Sequence, residues 1–277
     1  MVLFSLIHSQ AMTQFLQDEF RVTDSIAISA NIKFKNPNKI ASALTIDLED
    51  DRQKARAIYT WIADNISYDI ELYGNYRKRK RLSKKSTNFW IKRTLRKRTA
   101  ICGGYSELFR LIATAAGLET QYISGFSKNH RTDIGGKLRV DHAWNIVKIN
   151  GKWEYIDTTW GSGWVDTRKG KFYKKFNNGF FMTQRTKFEL THLAANGYWF
   201  PGEDKISKME FKNFPLIGNI LYETESMELS EYGKMGIREI MVGDTVTIGL
   251  KWNGSIMRAS ALPSYNERKS GEQKVED

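Results

Sequence analysis

The sequence predicts an α+β fold in which helices precede a run of antiparallel strands. Three observations support this fold class. Apolar residues recur at helical spacing in segments 51–65 and 102–116, and short strand-like segments follow after residue 120. Two of those segments are joined by Asn150-Gly151, a dipeptide typical of two-residue hairpin turns. Helices that are separated along the chain from an antiparallel sheet indicate an α+β domain.

The first helix is predicted over residues 51–65. Its start is marked by Asp50 and Asp51, because carboxylates at a helix start can cap the first amides and interact favourably with the helix dipole. The apolar side of this helix consists of Ala55, Ile58, Tyr59, Ile62 and Ala63. We expect that side to face the core.

The second helix is predicted over residues 102–116. Gly117 follows it and suits the left-handed conformation in which many helices end. The residues expected to pack inward are Leu108, Leu111, Ile112 and Ala115. Three strands are predicted next, over residues 121–126, 140–149 and 152–158.

The Asn150-Gly151 turn fixes a register, because a two-residue turn pairs Ile149 with Lys152. Extending the same register along both strands tests which other residues share a face. A slip of one residue would move every side chain to the opposite face, so the register makes a definite prediction.

In that register Trp144 lies opposite Asp157, and His142 lies opposite Thr159. His142 and Asp157 are then diagonal neighbours on one face of the hairpin. Diagonal positions are about 7–8 Å apart, a distance that an imidazole and a carboxylate can bridge with a hydrogen bond. The hairpin therefore predicts a His–Asp pair.

Cys102 stands at the start of the second predicted helix. The positive end of a helix dipole and the free amides there favour a thiolate. Gly103 and Gly104 leave space for a substrate carbonyl, and the Cys102 amide could donate to an oxyanion. The alternative is that Cys102 is a small buried apolar residue and that the glycines only make a tight turn.

Composition excludes several classes of protein. With 41% hydrophobic and 13% aromatic residues, the chain can bury a full core. No apolar run reaches the roughly 18 residues that a membrane-spanning helix needs. The apolar residues 2–7 resemble a clipped signal peptide or a packed terminus, which leaves a secreted or periplasmic location slightly favoured over the cytoplasm. The sequence does not indicate an oligomeric state.

A single cysteine excludes an intrachain disulfide and a cysteine-rich zinc site. The histidines are scattered at positions 8, 130, 142 and 192, without a metal-binding spacing. The sequence also lacks a glycine-rich phosphate loop. We therefore expect neither a metal nor a cofactor.

The formal net charge of +12 is concentrated in one segment. Residues 77–98 contain twelve basic residues and no acidic one, so the rest of the chain is electrically balanced. One interpretation is a solvated basic loop, because like charges repel one another and stay hydrated. The other is a contact surface for an acidic or polyanionic partner.

Three motifs resemble, in order and spacing, the Cys, His and Asp motifs of transglutaminase-like proteins. They are Cys102-Gly103-Gly104-Tyr105-Ser106-Glu107-Leu108-Phe109, His142-Ala143-Trp144-Asn145 and Ile156-Asp157-Thr158-Thr159-Trp160-Gly161. Residues 55–69 look like the helix that precedes the catalytic core of that family. The kyphoscoliosis-peptidase-like branch is indicated by Tyr68-Asp69, Phe181-Met182, His192 and Trp199.

The resemblance covers roughly residues 24–215. It implies a papain-like fold, with a catalytic helix packed against an antiparallel sheet. It also implies a Cys102 nucleophile, a His142 base and an orienting Asp157, which together transfer acyl groups from protein or peptide amides through a thioester. Water as acceptor would make the protein a peptidase, and an amine would make it a transglutaminase. Asn88 and Trp90 are weaker candidates for an oxyanion site and are left out of the catalytic set.

A catalytically silent scaffold is the alternative function. It would bind a protein or polyanionic partner through the cleft and the basic segment. The presence of all three triad residues favours the enzyme.

The predicted organisation has four parts. Residues 1–23 form an N-terminal segment, and 24–215 form the transglutaminase-like core. Alternation near residues 245–250 and the dipeptide Asn253-Gly254 predict a small β-rich region over 216–262. Residues 263–277 are polar and are expected to be disordered.

Overall fold

A computed structural model describes residues 19–129, 133–196, 206–217, 222, 227–229 and 250–252. The helices are α1 (Arg21–Ser29), α2 (Pro37–Thr45), α3 (Asp51–Asn65), α4 (Ile70–Gly74), α5 (Tyr76–Leu82), α6 (Thr87–Lys97), α7 (Cys102–Ala115), α8 (Thr158–Gly161), α9 (Arg185–Phe188) and α10 (Lys208–Asn213). A 3₁₀ turn spans Asn178–Phe180.

The strands form one central sheet and three small ribbons. They are β1 (Ser67–Tyr68), β2 (Thr99–Ala100), β3 (Thr120–Ser127), β4 (His142–Ile149), β5 (Lys152–Ile156), β6 (Gly163–Asp166), β7 (Lys171–Lys174), β8 (Phe181–Thr183), β9 (His192–Ala194), β10 (Met227–Leu229) and β11 (Leu250–Trp252). The central sheet is antiparallel and has the strand order β8-β5-β4-β3-β9.

The predicted α+β fold is confirmed: α7 packs against β3 and β4 of the central sheet. The main core lies where α3 and α7 meet that sheet, and it excludes water from a large apolar surface. Most of the expected inner residues are buried, since Ile58, Ile62, Leu108 and Ile112 are all fully buried. Leu111 is half-buried, and the prediction for Ala115 is wrong: it is exposed in the last turn of α7.

The ends of α3 and α7 follow from local sequence. The Asp50 side chain caps α3 by accepting a hydrogen bond from the Gln53 amide. Gly117 has a φ of +87° directly after α7, the left-handed conformation that glycine adopts without a steric penalty. Both features confirm the predicted boundaries to within one residue.

The hairpin register is also confirmed. Asn150 and Gly151 both have positive φ, of 50° and 80°, as a primed two-residue turn requires. Ile149 pairs with Lys152, and the pairing continues in register to Asn145 and Ile156.

The strand predicted over 152–158 ends earlier, at Ile156. The predicted pairs Trp144–Asp157 and His142–Thr159 are therefore absent from the described ladder. The reason is that Asp157 caps helix α8, and its side chain binds amides of that helix in place of a partner strand.

The basic segment 77–98 is helical, which corrects the predicted loop. Helix α5 is capped by Asn75 and helix α6 by Ser86. Arg93 and Arg98 join this segment to other parts of the fold. The buried Arg93 forms an ion pair with Asp69 at 2.5 Å, and Arg98 donates to the Ile32 carbonyl at 2.7 Å.

The predicted domain boundaries stay predictions. Helix α1 begins at Arg21, inside the predicted 1–23 segment. Within the predicted β-rich region 216–262, the antiparallel pair β10 and β11 is described, and most other residues lie outside the described set. The tail 263–277 lies entirely outside it. Across the residues with described positions, no helix is long and apolar enough to cross a membrane.

Candidate active site

Cys102 is the first residue of helix α7. Ile101 precedes it in an extended conformation and provides no side-chain cap. The amides of the first turn are therefore not occupied by a capping side chain. The Cys102 Sγ lies 3.9 Å from the Asp141 carbonyl oxygen, so the thiol is directed towards the start of β4, where His142 lies.

The two glycines after Cys102 have different roles. A Cβ on Gly103 would meet the Tyr122 hydroxyl at 3.4 Å, an ordinary contact on the side of the thiol. A Cβ on Gly104 would lie 2.8 Å from the Ala100 Cβ, which is too close. Gly104 is therefore required for packing inside the core. The expectation that it leaves space for a substrate carbonyl is wrong.

His142 and Asp157 form the predicted pair. His142 Nε2 lies 2.7 Å from Asp157 Oδ2, and both side chains are buried. Since a carboxylate only accepts hydrogen bonds, Nε2 carries the proton. Nδ1, the other ring nitrogen, is not engaged by Asp157, and the neighbouring Cys102 adds to the raised pKa of His142.

Four donors surround the Asp157 carboxylate. Oδ1 accepts from the amides of Thr159, at 2.8 Å, and Trp160, at 3.0 Å. Oδ2 accepts from His142 and also from His192, whose Nε2 lies 3.2 Å away. This number of donors favours the ionised carboxylate and fixes its orientation.

His192 belongs to the site although sequence reasoning did not place it there. It opens strand β9 and is fully buried. Its Nε2 faces Asp157, and its Nδ1 lies 2.9 Å from the Thr191 hydroxyl, which also bonds to the Tyr222 hydroxyl. His192 was noted only among the residues that resemble a family branch. Its separation of 35 residues from Asp157 could not be bridged by local register.

Aromatic rings enclose both histidines. The Trp160 ring centroid lies 5.3 Å from that of His142 and 4.5 Å from that of His192. Phe188 stacks on His192 with a centroid distance of 4.0 Å. These rings exclude water, which strengthens the electrostatic interactions inside.

The two histidines have pKa values shifted in opposite directions. Burial lowers the pKa of both, but at His142 the charge and hydrogen bond of Asp157, with smaller contributions from Cys102, outweigh burial and raise the pKa to about 10. At His192 burial prevails, and the positive charge of His142 adds to it, so that the pKa falls to about 4. Burial opposes ionisation of Asp157, yet the two histidines hold its pKa below the usual range. At neutral pH His142 is thus the cationic partner and His192 the neutral one.

His142, Asp157 and His192 also form a group whose ligand atoms lie within 4.8 Å of one another, as a metal site would require. A tetrahedral zinc ion needs each ligand atom at about 2.0–2.2 Å, so that neighbouring ligand atoms are more than 3 Å apart. The 2.7 Å contact between His142 and Asp157 is too short for that arrangement. Hydrogen bonding accounts for this cluster, and the residues do not fit a metal.

Two tyrosine hydroxyls flank the thiol. Tyr68 comes from β1, and Tyr122 from β3. Burial raises the pKa of both, and the neighbouring Cys102 adds to the effect; for Tyr122 the value reaches about 12. Within the described part of the chain neither hydroxyl has a hydrogen-bond partner. Both are therefore protonated donors at neutral pH, available to a substrate.

The structure places the three predicted residues Cys102, His142 and Asp157 in one cluster and adds His192 and the two tyrosines. Asn88 and Trp90 lie on α6, and neither has a described contact with the cluster. Tyr68 was noted only as part of Tyr68-Asp69, a resemblance to a family branch, and Tyr122 follows no motif, so sequence reasoning gave neither of them a place in the site.

Comparisons with known proteins agree with the motifs. The model of the transglutaminase-like superfamily matches residues 38–158. Kyphoscoliosis peptidase of Mus musculus is 32% identical over 196 residues, which are 70% of this chain and 28% of the mouse protein. The Homo sapiens protein of the same name is 32% identical over 64% of this chain and 26% of its own length.

The chain thus spans little more than a quarter of these relatives. A solved structure described as a TGase is similar over 55% of this chain and 38% of its own, with 19% identity and a TM-score of 0.29.

Proposed function

The chain belongs to the transglutaminase-like superfamily, in the branch of kyphoscoliosis peptidase, and we propose that it is a thiol-dependent acyl-transfer enzyme acting on protein or peptide amides. In this proposal Cys102 is the nucleophile, His142 the base and Asp157 the orienting carboxylate. The single observation that carries the proposal is the 2.7 Å contact between His142 and Asp157 at the end of β4 to which the Cys102 thiol is directed.

The first step is complete before the substrate binds: the thiol proton of Cys102 has passed to Nδ1 of His142, which is then the imidazolium that the raised pKa of His142 indicates at neutral pH. Asp157 stabilises the resulting imidazolium through the 2.7 Å contact with Nε2. The thiolate lies at the start of α7, where the dipole favours a negative charge.

The second step is attack of the thiolate on the amide carbonyl. The tetrahedral intermediate carries an oxyanion, for which the Cys102 amide and the hydroxyls of Tyr68 and Tyr122 are donors within the site. His142 returns its proton to the departing amine, and a thioester to Cys102 remains. Attack on the thioester by water gives a carboxylic acid, whereas attack by an amine gives a new amide.

The substrate and partner follow from this chemistry. The substrate is a protein or peptide that presents an accessible amide, and the basic segment 77–98 contacts acidic groups on it. In the alternative function, a catalytically silent scaffold would bind a partner through the basic segment 77–98 without turnover.

Selective labelling tests the nucleophile. The chain contains one cysteine, so any thiol adduct found by intact-protein mass spectrometry lies at Cys102. We expect iodoacetamide to react with native protein at pH 6 at least about tenfold faster than with the urea-unfolded chain, because His142 accepts the proton only in the fold.

A matched variant separates the base from general effects of folding. His142→Gln preserves a polar side chain but cannot accept the proton, and we expect it to lose the enhanced labelling. Labelling of native protein no faster than of unfolded protein, together with equal activity of Cys102→Ala on a peptide library, would leave the scaffold as the better account. Inclusion of an amine in the library then separates hydrolysis from transamidation.

A further inference from the structure

A strongly basic surface lies on helix α5 and the turn after it. Helix α5 has no buried residue, and it and the turn after it carry seven basic residues and no acidic one. These residues are Arg77, Lys78, Arg79, Lys80, Arg81, Lys84 and Lys85. We call this set the α5 basic surface.

The α5 basic surface has little internal compensation. Among the residues whose contacts are described, Lys78 has an acidic partner, Glu71, at 2.6 Å. Arg77, Lys80, Arg81 and Lys84 have none. Exposed charges of one sign repel one another, and an anionic group bound among them would relieve that repulsion.

A chain of ring contacts joins this surface to the thiol. The Arg79 guanidinium lies over the Tyr73 ring, 5.4 Å from its centroid. The Tyr73 ring contacts the Tyr68 ring, with centroids 5.7 Å apart. Tyr68 in turn lies near Cys102, since β1 pairs Tyr68 with Ala100, two residues before Cys102. Burial and the charge of Cys102 raise the pKa of Tyr68, and the charge of Arg79 opposes them. Arg79 and Cys102 thus act on the same hydroxyl.

We propose that the α5 basic surface, through Arg79, selects substrates in which acidic residues flank the amide that Cys102 attacks. The inference rests on the proposed function, since it assumes that a peptide lies across the site. In this proposal the substrate segment lies along the rings of Tyr68 and Tyr73, which brings its flanking residues to Arg79. Acidic side chains on that segment gain favourable interactions, and basic ones are repelled.

An acidic peptide fits better than nucleic acid or an anionic membrane. Arg79 is joined to the region of the reacting sulfur by the rings of Tyr73 and Tyr68. Tyr73 and Tyr76, both exposed, add apolar surface for a peptide backbone. A nucleic acid or lipid surface bound there would block the thiol without offering it an amide. Such a polyanion is therefore expected to act as a competitor.

Matched peptidyl vinyl sulfones test the inference. Three probes differ only in the residues on both sides of the electrophile, which are Glu, Gln or Lys. The Glu probe should label Cys102 about threefold to tenfold faster than the Gln probe at low salt, and the Lys probe more slowly than either. Because exposed charges are screened, the difference should collapse at about 0.5 M salt.

Variants assign the effect to the surface. Arg79→Gln should reduce the ratio of Glu-probe to Gln-probe rates at least about twofold, and Arg79→Lys should restore it, since the charge is retained. Lys152→Gln is the matched control. Lys152 pairs with Ile149, seven residues along β4 from His142, which places it about 24 Å from the site. The ratio of Glu-probe to Gln-probe rates for Lys152→Gln should equal that of the unmodified chain.

The outcomes distinguish this inference from the proposed function. Equal labelling by all three probes, each faster than with unfolded protein, overturns the acidic preference and leaves the nucleophile in place. Labelling by no probe above the unfolded rate overturns the proposed function itself. Heparin should slow the Glu probe; if heparin binds and that rate is unchanged, the α5 basic surface is not on the substrate path and the inference fails.

Discussion

His142 Nε2 lies 2.7 Å from Asp157 Oδ2 inside an aromatic enclosure, and the same carboxylate oxygen contacts His192 at 3.2 Å. One buried anion thus interacts with two histidines whose pKa values move apart, to about 10 and about 4. This arrangement assigns them different protonation states, and it makes the stability and the reactivity of the site depend on pH.

Asp157→Asn should remove the charge that keeps His142 protonated. The two largest contributions that raise the pKa of His142 are then gone, and burial disfavours the imidazolium with Cys102 alone opposing it. We expect iodoacetamide labelling of Cys102 at pH 6 to fall by at least about tenfold, as measured by mass spectrometry. Glu154→Gln, a change in the same strand region, should leave the rate unchanged. Full reactivity of Asp157→Asn would contradict the assigned role.

Alkaline pH should destabilise the fold through His142. Its folded pKa is raised, so its contribution is complete below the unfolded value of about 6.5 and is lost as the pH rises towards about 10. Urea unfolding measured from pH 6 to 10 should show a decline in the free energy of unfolding. His142→Gln should flatten that decline, and an equally steep curve for the variant would argue against the pair.

Acidic pH should destabilise the fold through His192, whose pKa is shifted in the direction opposite to that of His142. Its folded pKa is depressed to about 4, so its contribution is complete above about 6.5 and is lost as the pH falls through about 4. The difference in Tm between the unmodified chain and His192→Gln, measured by thermal unfolding, should be smallest at pH 4 and largest near pH 7. A difference in Tm that does not change with pH would indicate that His192 contributes by packing alone.

Gly125→Ala should disrupt the centre of the sheet. A Cβ there would lie 2.2 Å from the Leu193 carbonyl oxygen and 2.4 Å from the Trp144 ring. We expect a loss of about 2–4 kcal/mol in the free energy of unfolding, because strand β9 must move away from β3. Gly151→Ala is the comparison: its Cβ meets open space, and only the φ of +80° opposes it, at about 1–2 kcal/mol. Equal losses for the two variants would exclude the steric explanation.

Lys128→Met should release helix α10. The buried Lys128 ammonium donates to the carbonyl groups of Phe211, Lys212 and Phe214 at the end of that helix. Methionine fills similar space but leaves those acceptors without their donor, at a cost of about 1–3 kcal/mol. Limited proteolysis should then cleave within 206–217 sooner than in the unmodified chain. Lys148→Met, on the exposed hairpin, should not change that cleavage.

Local patterns in the sequence were sufficient for much of the fold. The spacing in α3 and α7, and the Asn150-Gly151 turn, depend on interactions between residues close in the chain, and all three agree with the structure. Charge counting also located the basic segment, but not its helical form. Like-charge repulsion favoured a loop, whereas the caps at Asn75 and Ser86 and the packing of Ile91 and Leu95 favour helices.

By itself the sequence determined the α+β class, the hairpin register and the three residues Cys102, His142 and Asp157 as candidates. Only the tertiary structure decided that Asp157 is shared between His142 and His192 and that Tyr68 and Tyr122 flank the thiol. It also decided that the rings of Tyr73 and Tyr68 lie between Arg79 and the thiol. The physical reason is the separation along the chain of the residues that interact. Register and helix periodicity act over a few residues, whereas these contacts join elements that meet only when the core closes around them.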